Sequence, residues 1–465
     1  MFGRTSPLID SRAQPFACSC KMNRFVFQNS DEKTADSIRT TQEEVSGTRY
    51  LMSVCVCGLI MLIWAVSFPL LWLYARLFPR VRERVLFWTN EGFRVAPSRV
   101  RSYRFCEESQ RMGLDASVLS FWDHLEGFTG LPPYDKTPAQ RALVVVRAMF
   151  HGLHSRARII VAQRPMYDVT SLLYLKCLYP VGISIWIDLD DWIHEYPLLP
   201  EPVDIRFKHM LPILSAIADG CIVSSLPLEQ DMATHFKRVE IVPTFVDARL
   251  FHPTNEDQVA DHRDTVVFSW IGTFFEEAIV SDILFLVEVL ESLQDSRILL
   301  EIVGDGQYRK EVSEKAETIS KVTTISFLGW LEPDSIPEYM QGIDIGLYCL
   351  STHTDFTRSK SPTKLFEYMA CAKPTVSTNF GEAPRFVEHG VTGFVASDFE
   401  QFAECCSRLL NDPALRISMG RNAREKIEDQ HNLTSCATKL RNIIMGVQTM
   451  THHQQKWSGH SGGIL

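Results

Sequence analysis

Short, uninterrupted runs of apolar and β-branched residues recur along most of the chain, each followed by a loop and a segment of helical character. Examples are Arg158–Gln163 and Ile183–Asp188 in the first half, and Thr265–Ile271 and Ile298–Val303 in the second. A strand with one face in water alternates between apolar and polar residues, so runs without alternation indicate strands covered on both faces. Such strands, separated by helices, predict α/β domains with doubly wound parallel sheets.

The runs fall into two series, which are separated by the polar stretch Thr254–Asp264. A chain of 465 residues exceeds what one hydrophobic core usually supports, so two domains are expected. We assign residues 82–255 to an N-terminal Rossmann-like domain and residues 262–430 to a C-terminal Rossmann-like domain. A further helix is predicted over residues 431–448. Two such domains in tandem predict a central cleft in which a ligand binds.

The segment Leu51–Tyr74 contains no charged residue and is long enough for the roughly 20 residues that cross a bilayer. Four arginines follow it closely, namely Arg76, Arg80, Arg82 and Arg84. The sequence therefore predicts a single-pass transmembrane helix over residues 51–75, with the catalytic domains on the cytosolic face. An anchor in the membrane plane is the alternative, but the segment is apolar on every side, which favours a span. The polar, aperiodic tails over residues 1–50 and 449–465 are predicted to be disordered.

The charge and the cysteines exclude some classes of function. A net charge of −9 argues against a general nucleic-acid-binding protein, because such proteins need a basic excess to neutralise phosphates. The twelve cysteines show no spacing typical of a metal site. Buried, reduced thiols are therefore expected. The sequence predicts no nucleic-acid partner, no metal and no cofactor.

Three cations cluster around the start of a predicted helix over Thr363–Cys371, namely Arg358, Lys360 and Lys364. Cations beside the free backbone N–H groups of a helix N-terminus make a strong anion site. Glu367 lies three residues after Lys364, on the same helix face. Its carboxylate suits a ribose diol better than a phosphate. A solvated surface helix with an incidental Lys–Glu pair accounts for the spacing equally well.

Several segments resemble one known family. Pro362–Val376 is similar to the donor-site helix and following strand of the GT-B-fold glycosyltransferases of family GT4. Gly381–Phe394 resembles the family's G-G-x-x-E-x-V-x-x-G-x-x-G stretch, and Ile241–Pro253 resembles its interdomain I-P-N-G-V-D-x-x-x-F-x-P. Val303–Gly306 and Phe327–Trp330 stand where the family has its V-G-x-G and F-x-G turns.

The resemblance covers residues 82 to about 430 and implies a donor site for a nucleoside diphosphate sugar. It implies that Glu367 binds the ribose hydroxyls and that Leu331 lies near the base through its backbone. It also implies that Lys364, with Arg358 or Lys360, neutralises the diphosphate. Fixed cations there support catalysis, because negative charge builds on the departing diphosphate. The turns after the strands complete the predicted donor site, with Gly272, Thr273, Gly304 and Gly306.

Two positions depart from the family pattern. Ser359 stands where the first glutamate of the family's E-x7-E motif helps to position the donor sugar. The Arg and Lys that usually follow the first strand of the second domain are absent from Gly272–Glu277. A non-catalytic homologue that binds a nucleotide sugar or scaffolds a partner enzyme is therefore the main alternative to an enzyme. An epimerase that keeps the nucleotide site is a third hypothesis.

The first domain contributes two further pairs of candidates. Asp190 and Asp191 end an apolar strand, where many GT4 members carry a His or Asp that faces the donor sugar. Both are predicted to contact sugar hydroxyls or the acceptor; helix capping by Asp191 and a D-x-D-like metal site are the alternatives. Arg99 and Arg101 lie in Pro97–Arg104, which resembles an arginine-bearing stretch of some GT4 members. They are predicted to contact a donor or acceptor phosphate, and a basic surface beside anionic lipid is the alternative.

Together these features predict a membrane-tethered enzyme that moves a sugar from a nucleoside diphosphate sugar to an acceptor at the membrane face. A lipid-linked saccharide or another glycan is the expected acceptor, because a tether raises the local concentration of the enzyme there. No carboxylate pair in the sequence clearly marks a double displacement. The resemblance therefore implies front-face attack with retention of the anomeric configuration, in which the leaving phosphate accepts the acceptor's proton.

Overall fold

The computed structural model of the chain describes two α/β lobes, a helix before them and a helix after them. The described residues are 59, 62–93, 95–121, 138–166, 168–199, 205–253, 264–274 and 276–446. The tails predicted to be disordered, residues 1–50 and 449–465, lie outside these ranges.

The first described helix, α1 over residues 62–77, lies against the N-terminal lobe. Trp64 and Ala75 are buried, and the Tyr174 hydroxyl donates a hydrogen bond to the Trp64 carbonyl at 2.7 Å. Among the helices of the described ranges, none combines the length and the apolarity that crossing a bilayer requires. Positions 51–58, 60 and 61 of the predicted transmembrane segment lie outside those ranges.

The N-terminal lobe contains a six-stranded sheet with the order β2-β1-β3-β4-β7-β8, in which all pairs are parallel. Its first strands follow the flavodoxin-like order, so the order reverses between β1 and β3. The strands of this lobe, including a short antiparallel pair β5–β6 beside the sheet, are β1 (Val81–Thr89), β2 (Asp115–Ser120), β3 (Ala157–Gln163), β4 (Ser184–Leu189), β5 (Pro197–Leu199), β6 (Ile205–Arg206), β7 (Gly220–Val223) and β8 (Val239–Ile241).

Strand β1 shows why the apolar runs lack alternation. Val85 and Phe87 pack on one face of the sheet, whereas Leu86 and Trp88 pack on the other, and all four are buried. Helices cover both faces, as predicted. The helical elements of this lobe are α2 (Ala96–Ser98), a π-helical turn (Arg99–Arg104), α3 (Phe105–Arg111), α4 (Pro138–His154), α5 (Val169–Leu178), a 3₁₀ turn (Phe207–Met210), α6 (Leu211–Ile217) and α7 (Leu226–Met232).

The C-terminal lobe contains a second six-stranded parallel sheet, with the order β11-β10-β9-β12-β13-β14. Counted from its first strand this is the Rossmann order 3-2-1-4-5-6, with its reversal between β9 and β12. The strands are β9 (Val266–Ile271), β10 (Ile298–Val303), β11 (Thr324–Gly329), β12 (Ile345–Tyr348), β13 (Thr375–Thr378) and β14 (Phe394–Ala396). The predicted pair of doubly wound domains is confirmed.

The helices of the C-terminal lobe lie on both faces of its sheet. They are α8 (Ala278–Ser292), α9 (Arg309–Ile319), a 3₁₀ turn (Pro333–Ser335), α10 (Ile336–Gln341), α11 (Asp355–Ser359), α12 (Thr363–Ala370), α13 (Ala383–Phe386), α14 (Phe399–Asn411) and α15 (Pro413–Gln430).

The last helix, α16 (Leu433–Met445), returns to the N-terminal lobe. Its apolar residues share one cluster with Phe87 and Phe105 of that lobe. The two chain segments that join the lobes also meet, because the Val246 amide donates to the His431 carbonyl and the Leu433 amide donates to the Val246 carbonyl. The two lobes are therefore joined by a double crossing.

The eight cysteines within the described ranges form no disulfide, and all except Cys177 are buried. Buried thiols behave as small apolar side chains. The remaining four cysteines of the chain lie outside these ranges.

Candidate active site

Helix α12 carries the strongest of the predicted site residues. Its apolar side chains, which include Leu365, Phe366 and Tyr368, are buried in the lobe. Lys364 and Glu367 lie three residues apart, and the Lys364 ammonium is 2.7 Å from Glu367 Oε2, with 22% and 6% of the two side chains exposed. Within the described residues no side chain caps the start of α12. The Thr363 N–H donates to the Ser361 carbonyl at 2.9 Å, so the N–H groups of the next two residues, Lys364 and Leu365, are the ones available to an anion.

A cavity of about 230 Å³ lies between the lobes and includes Glu367 in its wall. The π-helical turn of the N-terminal lobe contributes Arg99 and Arg104, and the segments 245–251 and 333–337 complete the lining. Burial lowers the pKa of Arg99, while the carboxylates of Glu367 and Asp334 act in the opposite direction. The structure thus brings Arg99, predicted to contact a phosphate, to the same cavity as Glu367.

Arg101, two residues after Arg99, has a different environment from the one predicted. Its side chain is 1% exposed and pairs with Asp188 at the end of β4, through Nε at 3.0 Å and Nη2 at 2.5 Å. Nη1 donates to the Val242 carbonyl at 2.7 Å. The prediction that Arg101 contacts a phosphate is therefore corrected. Its guanidinium is enclosed by protein partners and ties the π-helical turn to the sheet.

The three cations predicted around the start of α12 are placed separately. Arg358 is exposed on α11 and pairs with Asp355 at 3.1 Å. Lys360 is half-buried, with its ammonium 5.4 Å from the centre of the Phe356 ring. Within the described ranges Lys360 has no carboxylate within ion-pair distance. Of the three cations, Lys364 is the one that pairs with Glu367. Arg358 and Lys360 precede α12 in the chain.

Ser359, which replaces the glutamate of the family pattern, is buried. Its hydroxyl donates to the Phe356 carbonyl at 3.1 Å, and it closes α11 rather than facing a ligand. The substitution therefore removes a carboxylate from this position and puts nothing polar towards the cleft in its place.

The glycines predicted for the donor site let two loops approach each other. Gly304 and Gly306 have φ of 141° and 152°. A Cβ on Gly304 would lie 2.0 Å from the Gly272 carbonyl oxygen, and one on Gly306 would lie 2.6 Å from the backbone of Phe274. Thr273 is exposed between them. These turns shape the carboxyl edge of the sheet at β9 and β10, where ligands of such sheets bind.

Leu331 is half-buried, and it packs against an apolar cluster that includes Ile336 and Tyr368. Ile336 is also part of the cavity wall. This places Leu331 behind the segment 333–337 that closes one side of the cavity.

Asp190 and Asp191, at the end of β4, both bind Arg164, which follows β3. Arg164 Nε is 2.6 Å from Asp190 Oδ1, and Arg164 Nη2 is 2.5 Å from Asp191 Oδ2. Burial raises the pKa of Asp191 to about 6, and Arg164 and Lys360 act in the opposite direction. Residues 191–196 are not helical, so the alternative of helix capping by Asp191 is wrong. Asp191 therefore lies within the electrostatic influence of Lys360 from the other lobe.

Three residues of this region were missed by the sequence reasoning. Arg164 ends a strand and holds both aspartates. Glu382 is buried beside Arg385 at 2.6 Å, and burial raises its pKa while the backbone N–H of Leu226, at the start of α7, lowers it. Burial raises the pKa of Tyr348, with a further rise caused by the nearby carboxylates of Asp191, Asp282 and Glu382. Arg164 directly follows β3, and Tyr348 is the last residue of β12. A polar side chain at the end of a buried strand is the sequence signal that identifies both.

The two lobes also touch directly. Helix α11 of the C-terminal lobe packs against α7 of the N-terminal lobe, and the backbone N–H of Leu226, at the start of α7, lowers the pKa of Glu382. Burial lowers the pKa of His194, and Asp355 on α11 is among the carboxylates that oppose this effect. Residues of both lobes therefore border the same cleft.

Comparison with known proteins agrees with this geometry. Residues 265–412 match the family described as "Glycosyl transferases group 1". The chain is 25% identical over 217 residues to the N-acetyl-alpha-D-glucosaminyl L-malate synthase of Bacillus anthracis, covering 45% of this chain and 54% of that protein. It is 26% identical over 136 residues to the chitobiosyldiphosphodolichol beta-mannosyltransferase of Candida albicans, covering 28% and 29%. The chain thus spans about half the length of the curated relatives it matches, or less.

Among solved structures, the crystal structure of Anabaena Alr3699/HepE in complex with UDP-glucose is similar, with a TM-score of 0.58. The similarity covers 78% of this chain and 100% of that one, at 18% sequence identity. At this identity the likeness shows the fold, which is the two-lobed arrangement described above.

Proposed function

From the glycosyl transferases group 1 domain that residues 265–412 form, we propose that the chain transfers a sugar from a nucleoside diphosphate sugar to a membrane-associated acceptor. A lipid-linked saccharide is the proposed acceptor, and the anomeric configuration of the sugar is retained. The names of the B. anthracis and C. albicans relatives, a glucosaminyl-malate synthase and a mannosyltransferase, support sugar transfer. The UDP-glucose bound to the similar HepE structure supports the choice of donor.

The observation that carries the proposal is the charged wall of the cavity between the lobes. Glu367 lies in that wall with Arg99, and Lys364 stands 2.7 Å from Glu367. The buried Glu367 carboxylate accepts hydrogen bonds from a ribose diol, and adjacent cations favour a diphosphate. A carboxylate and cations together suit a nucleoside diphosphate better than a carboxylate alone or cations alone.

The same cations serve the leaving group. When the bond between the anomeric carbon and the diphosphate oxygen breaks, negative charge develops on that oxygen. Lys364, and Lys360 on the segment before it, stabilise this charge more in the transition state than in the ground state. The leaving phosphate then accepts the acceptor's proton, which supplies the base without a separate carboxylate.

Asp190 and Asp191 are proposed to bind hydroxyl groups of the donor sugar or the acceptor. Both carboxylates are held by Arg164, which fixes their orientation and leaves them as hydrogen-bond acceptors rather than nucleophiles. This arrangement supports front-face attack over a double displacement.

A surface of α1 supports the membrane-associated acceptor. Its exposed stripe consists of Leu62, Val66, Leu70, Leu73 and Leu77, which are 51–73% exposed and follow the helical spacing of one face. The opposite face packs against the lobe through Trp64 and Ala75. Exposed apolar stripes of this size mark contact surfaces, and we propose that this one lies on the lipid interface with the lobes on the cytosolic side.

The arginines in the last turn of α1 and just after it contribute only partly to that surface. Arg76 is exposed beside the stripe. Arg80 donates to the carbonyls of Gly152 and Ala157, and Arg84 pairs with Asp115 at 2.6 Å. Apolar contact is therefore the main contribution to membrane binding in this proposal, with Arg76 adding attraction to anionic lipid.

Radiolabelled donors test the enzyme. Purified chain is incubated with membranes and a panel of UDP-, GDP- and other nucleoside diphosphate sugars, and lipid-extractable label, donor hydrolysis and product anomer are measured. We expect transfer by the wild type. In Glu367→Gln we expect nucleoside diphosphate affinity to fall about 10- to 100-fold, because a hydrogen bond to a charged group contributes about 1.5–3 kcal/mol. Glu425→Gln, an exposed position on α15, is the matched control.

Other outcomes separate the alternatives. Saturable nucleotide binding without turnover of any donor contradicts the enzyme and supports a non-catalytic homologue. Interconversion of free nucleotide sugars supports an epimerase instead. For the membrane contact, the double variant Val66→Asp/Leu70→Asp is expected to lose flotation with anionic vesicles. The control Ile417→Asp, at an exposed apolar position on α15, is expected to keep it.

A further inference from the structure

Three side chains with metal-ligand atoms converge on the cleft side of the N-terminal lobe. His194 follows β4, while Asp231 lies at the end of α7 and His235 in the turn four residues later. One ligand atom from each residue lies within 4.8 Å of the others. The proposed sugar transfer uses none of the three.

The buried atoms of this cluster lack ordinary partners. His194 Nε2 and Asp231 Oδ2 are 2.9 Å apart, but their alignment does not make a hydrogen bond. Among the described residues both atoms, together with His194 Nδ1, are buried without a hydrogen-bond partner. A buried polar atom left in this state destabilises the fold. Three such atoms in one place indicate a ligand that satisfies at least some of them.

The surroundings hold the His194 ring in place and leave the His235 side chain free to adjust. Trp192 stacks on the His194 ring, with 4.5 Å between the ring centroids and 25° between the planes, and only 9% of the His194 side chain is exposed. His235 is exposed. The cluster is therefore rigid on its inner side and open towards solvent.

We propose that His194, Asp231 and His235 bind a divalent transition-metal ion of the Zn²⁺ class, with the fourth position open. Two imidazoles and one carboxylate are a ligand set that Zn²⁺ uses, whereas Mg²⁺ and Ca²⁺ prefer oxygen ligands. Metal–ligand bonds of about 2.1 Å put the ligand atoms of a tetrahedral site roughly 3.4 Å apart. His194 Nε2 and Asp231 Oδ2 are 2.9 Å apart and all the ligand atoms lie within 4.8 Å of one another, so side-chain rotation, which the exposed position of His235 allows, completes the site.

The site lies beside the contact between the lobes. Helix α7, which carries Asp231, also packs against α11 of the C-terminal lobe. A bound ion fixes the end of this helix against β4. Metal binding therefore stabilises the part of the N-terminal lobe on which the other lobe rests.

Calorimetric titration of the metal-free, full-length chain with Zn²⁺ tests the site, and thermal unfolding with and without Zn²⁺ gives a second readout. We expect one ion per chain with micromolar or tighter affinity and a higher Tm. In His235→Ala, at an exposed position that leaves the core intact, the affinity is expected to fall at least tenfold and the Tm increase to disappear. His389→Ala, exposed on the C-terminal lobe, is the matched control and keeps both.

The chain's thiols are the competing ligands, and Co²⁺ absorption distinguishes them. Co²⁺ bound by imidazole and carboxylate lacks the intense sulfur-to-metal charge-transfer band that thiolate ligands produce. A thiolate band, binding that is unchanged in His235→Ala and in Asp231→Asn, or no binding at all overturns the proposal. Because these measurements need no sugar donor, their failure is distinguishable from failure of the proposed transfer activity.

Discussion

In the N-terminal lobe Arg101 and Asp188 pair with one another inside the protein, whereas in the C-terminal lobe Lys364 and Arg358 stand partly exposed on two short helices. The Arg101–Asp188 pair is 1% and 2% exposed. Lys364 is 22% exposed and Arg358 51% exposed. The two sheets share a doubly wound architecture, so the difference arises from what these four charged residues bind and not from the topology.

This contrast separates framework from ligand binding. A buried ion pair contributes little net stability, but removal of one partner leaves an isolated charge in the interior. A partly exposed cation contributes little to folding and is available to a ligand. We therefore expect substitutions in the enclosed Arg101–Asp188 pair to change stability, and substitutions of Lys364 or Arg358 to change binding and turnover.

The largest effect is expected from Arg101→Met. The substitution leaves Asp188 buried without its cation, and we expect the free energy of unfolding to fall by about 3–5 kcal/mol. Urea denaturation measures it. The double variant Arg101→Met/Asp188→Leu is expected to recover most of the loss, because it removes both charges. A loss below about 1 kcal/mol in the single variant contradicts the framework role.

Lys364→Met tests the opposite role in the C-terminal lobe. We expect kcat/KM for the best donor to fall about 10²- to 10³-fold, or about 3–4 kcal/mol, because the variant removes a fixed cation from the leaving group. The free energy of unfolding is expected to fall less than in Arg101→Met, because the Lys364 side chain is 22% exposed and that of Arg101 is 1% exposed. Lys310→Met, at an exposed position on α9, serves as control. Equal losses of stability in Lys364→Met and Arg101→Met abolish the contrast between the lobes.

At the crossing between the lobes, His431 makes the free energy of unfolding depend on pH. His431 stacks on Phe366 with 5.1 Å between centroids, and burial lowers its pKa to about 4. Between pH 6.5 and 4 the unfolded chain binds a proton at this position that the folded chain excludes. Stability therefore falls as the pH falls through that window, by about 2–3 kcal/mol.

The variant His431→Phe isolates this contribution, because it keeps the ring contact and removes the titrating group. The difference in unfolding free energy between wild type and variant is expected to grow from pH 7 to pH 4. A constant difference over that range shows that His431 is accessible to protons in the folded state.

The smallest effect is expected from Arg358→Met. Its pair with Asp355 is exposed, so the free energy of unfolding is expected to change by less than about 1 kcal/mol. Affinity for nucleoside diphosphate is expected to fall a few-fold at low ionic strength and by less at high salt, because mobile ions screen exposed charges. Titration calorimetry at low and at high salt concentration measures the two affinities. A salt-independent loss indicates that Arg358 is enclosed when the ligand is bound.

Local patterns account for the part of the fold that could be predicted. Apolar runs without alternation predict strands such as β1, whose two faces are both buried. The three-residue spacing of Lys364 and Glu367 places them on one face of α12 whatever surrounds the helix. These features depend on neighbours within a few residues, so they can be read from one sequence.

The fates of Arg99 and Arg101 could not be read in the same way. The sequence analysis predicted a phosphate contact for both, although residues two positions apart in a helical turn face different directions. Which of them faces the cavity depends on how the turn sits on the sheet. Only the position of β4, which brings Asp188 to Arg101, decides that Arg101 is enclosed and that Arg99 lines the cavity.

The glycine turns show a similar limit. The sequence placed Gly304 and Gly306 after a strand, where a ligand can approach the backbone. In the structure it is the loop after β9 that occupies the space a Cβ would need. The contact with this loop explains the need for glycine, and the approach of a ligand stays a prediction.

By itself, the sequence determined the two doubly wound domains, the helix that carries the donor-site charges and the need for glycine at the strand ends. The tertiary structure decided which charges are enclosed, and it brought His194 to Asp231 and His235. Strands β4 and β7 are neighbours in the sheet, so the segments that follow them meet although they are 37 or more residues apart in the sequence. Local periodicity carries no information about strand order, and strand order determines which distant side chains share a site.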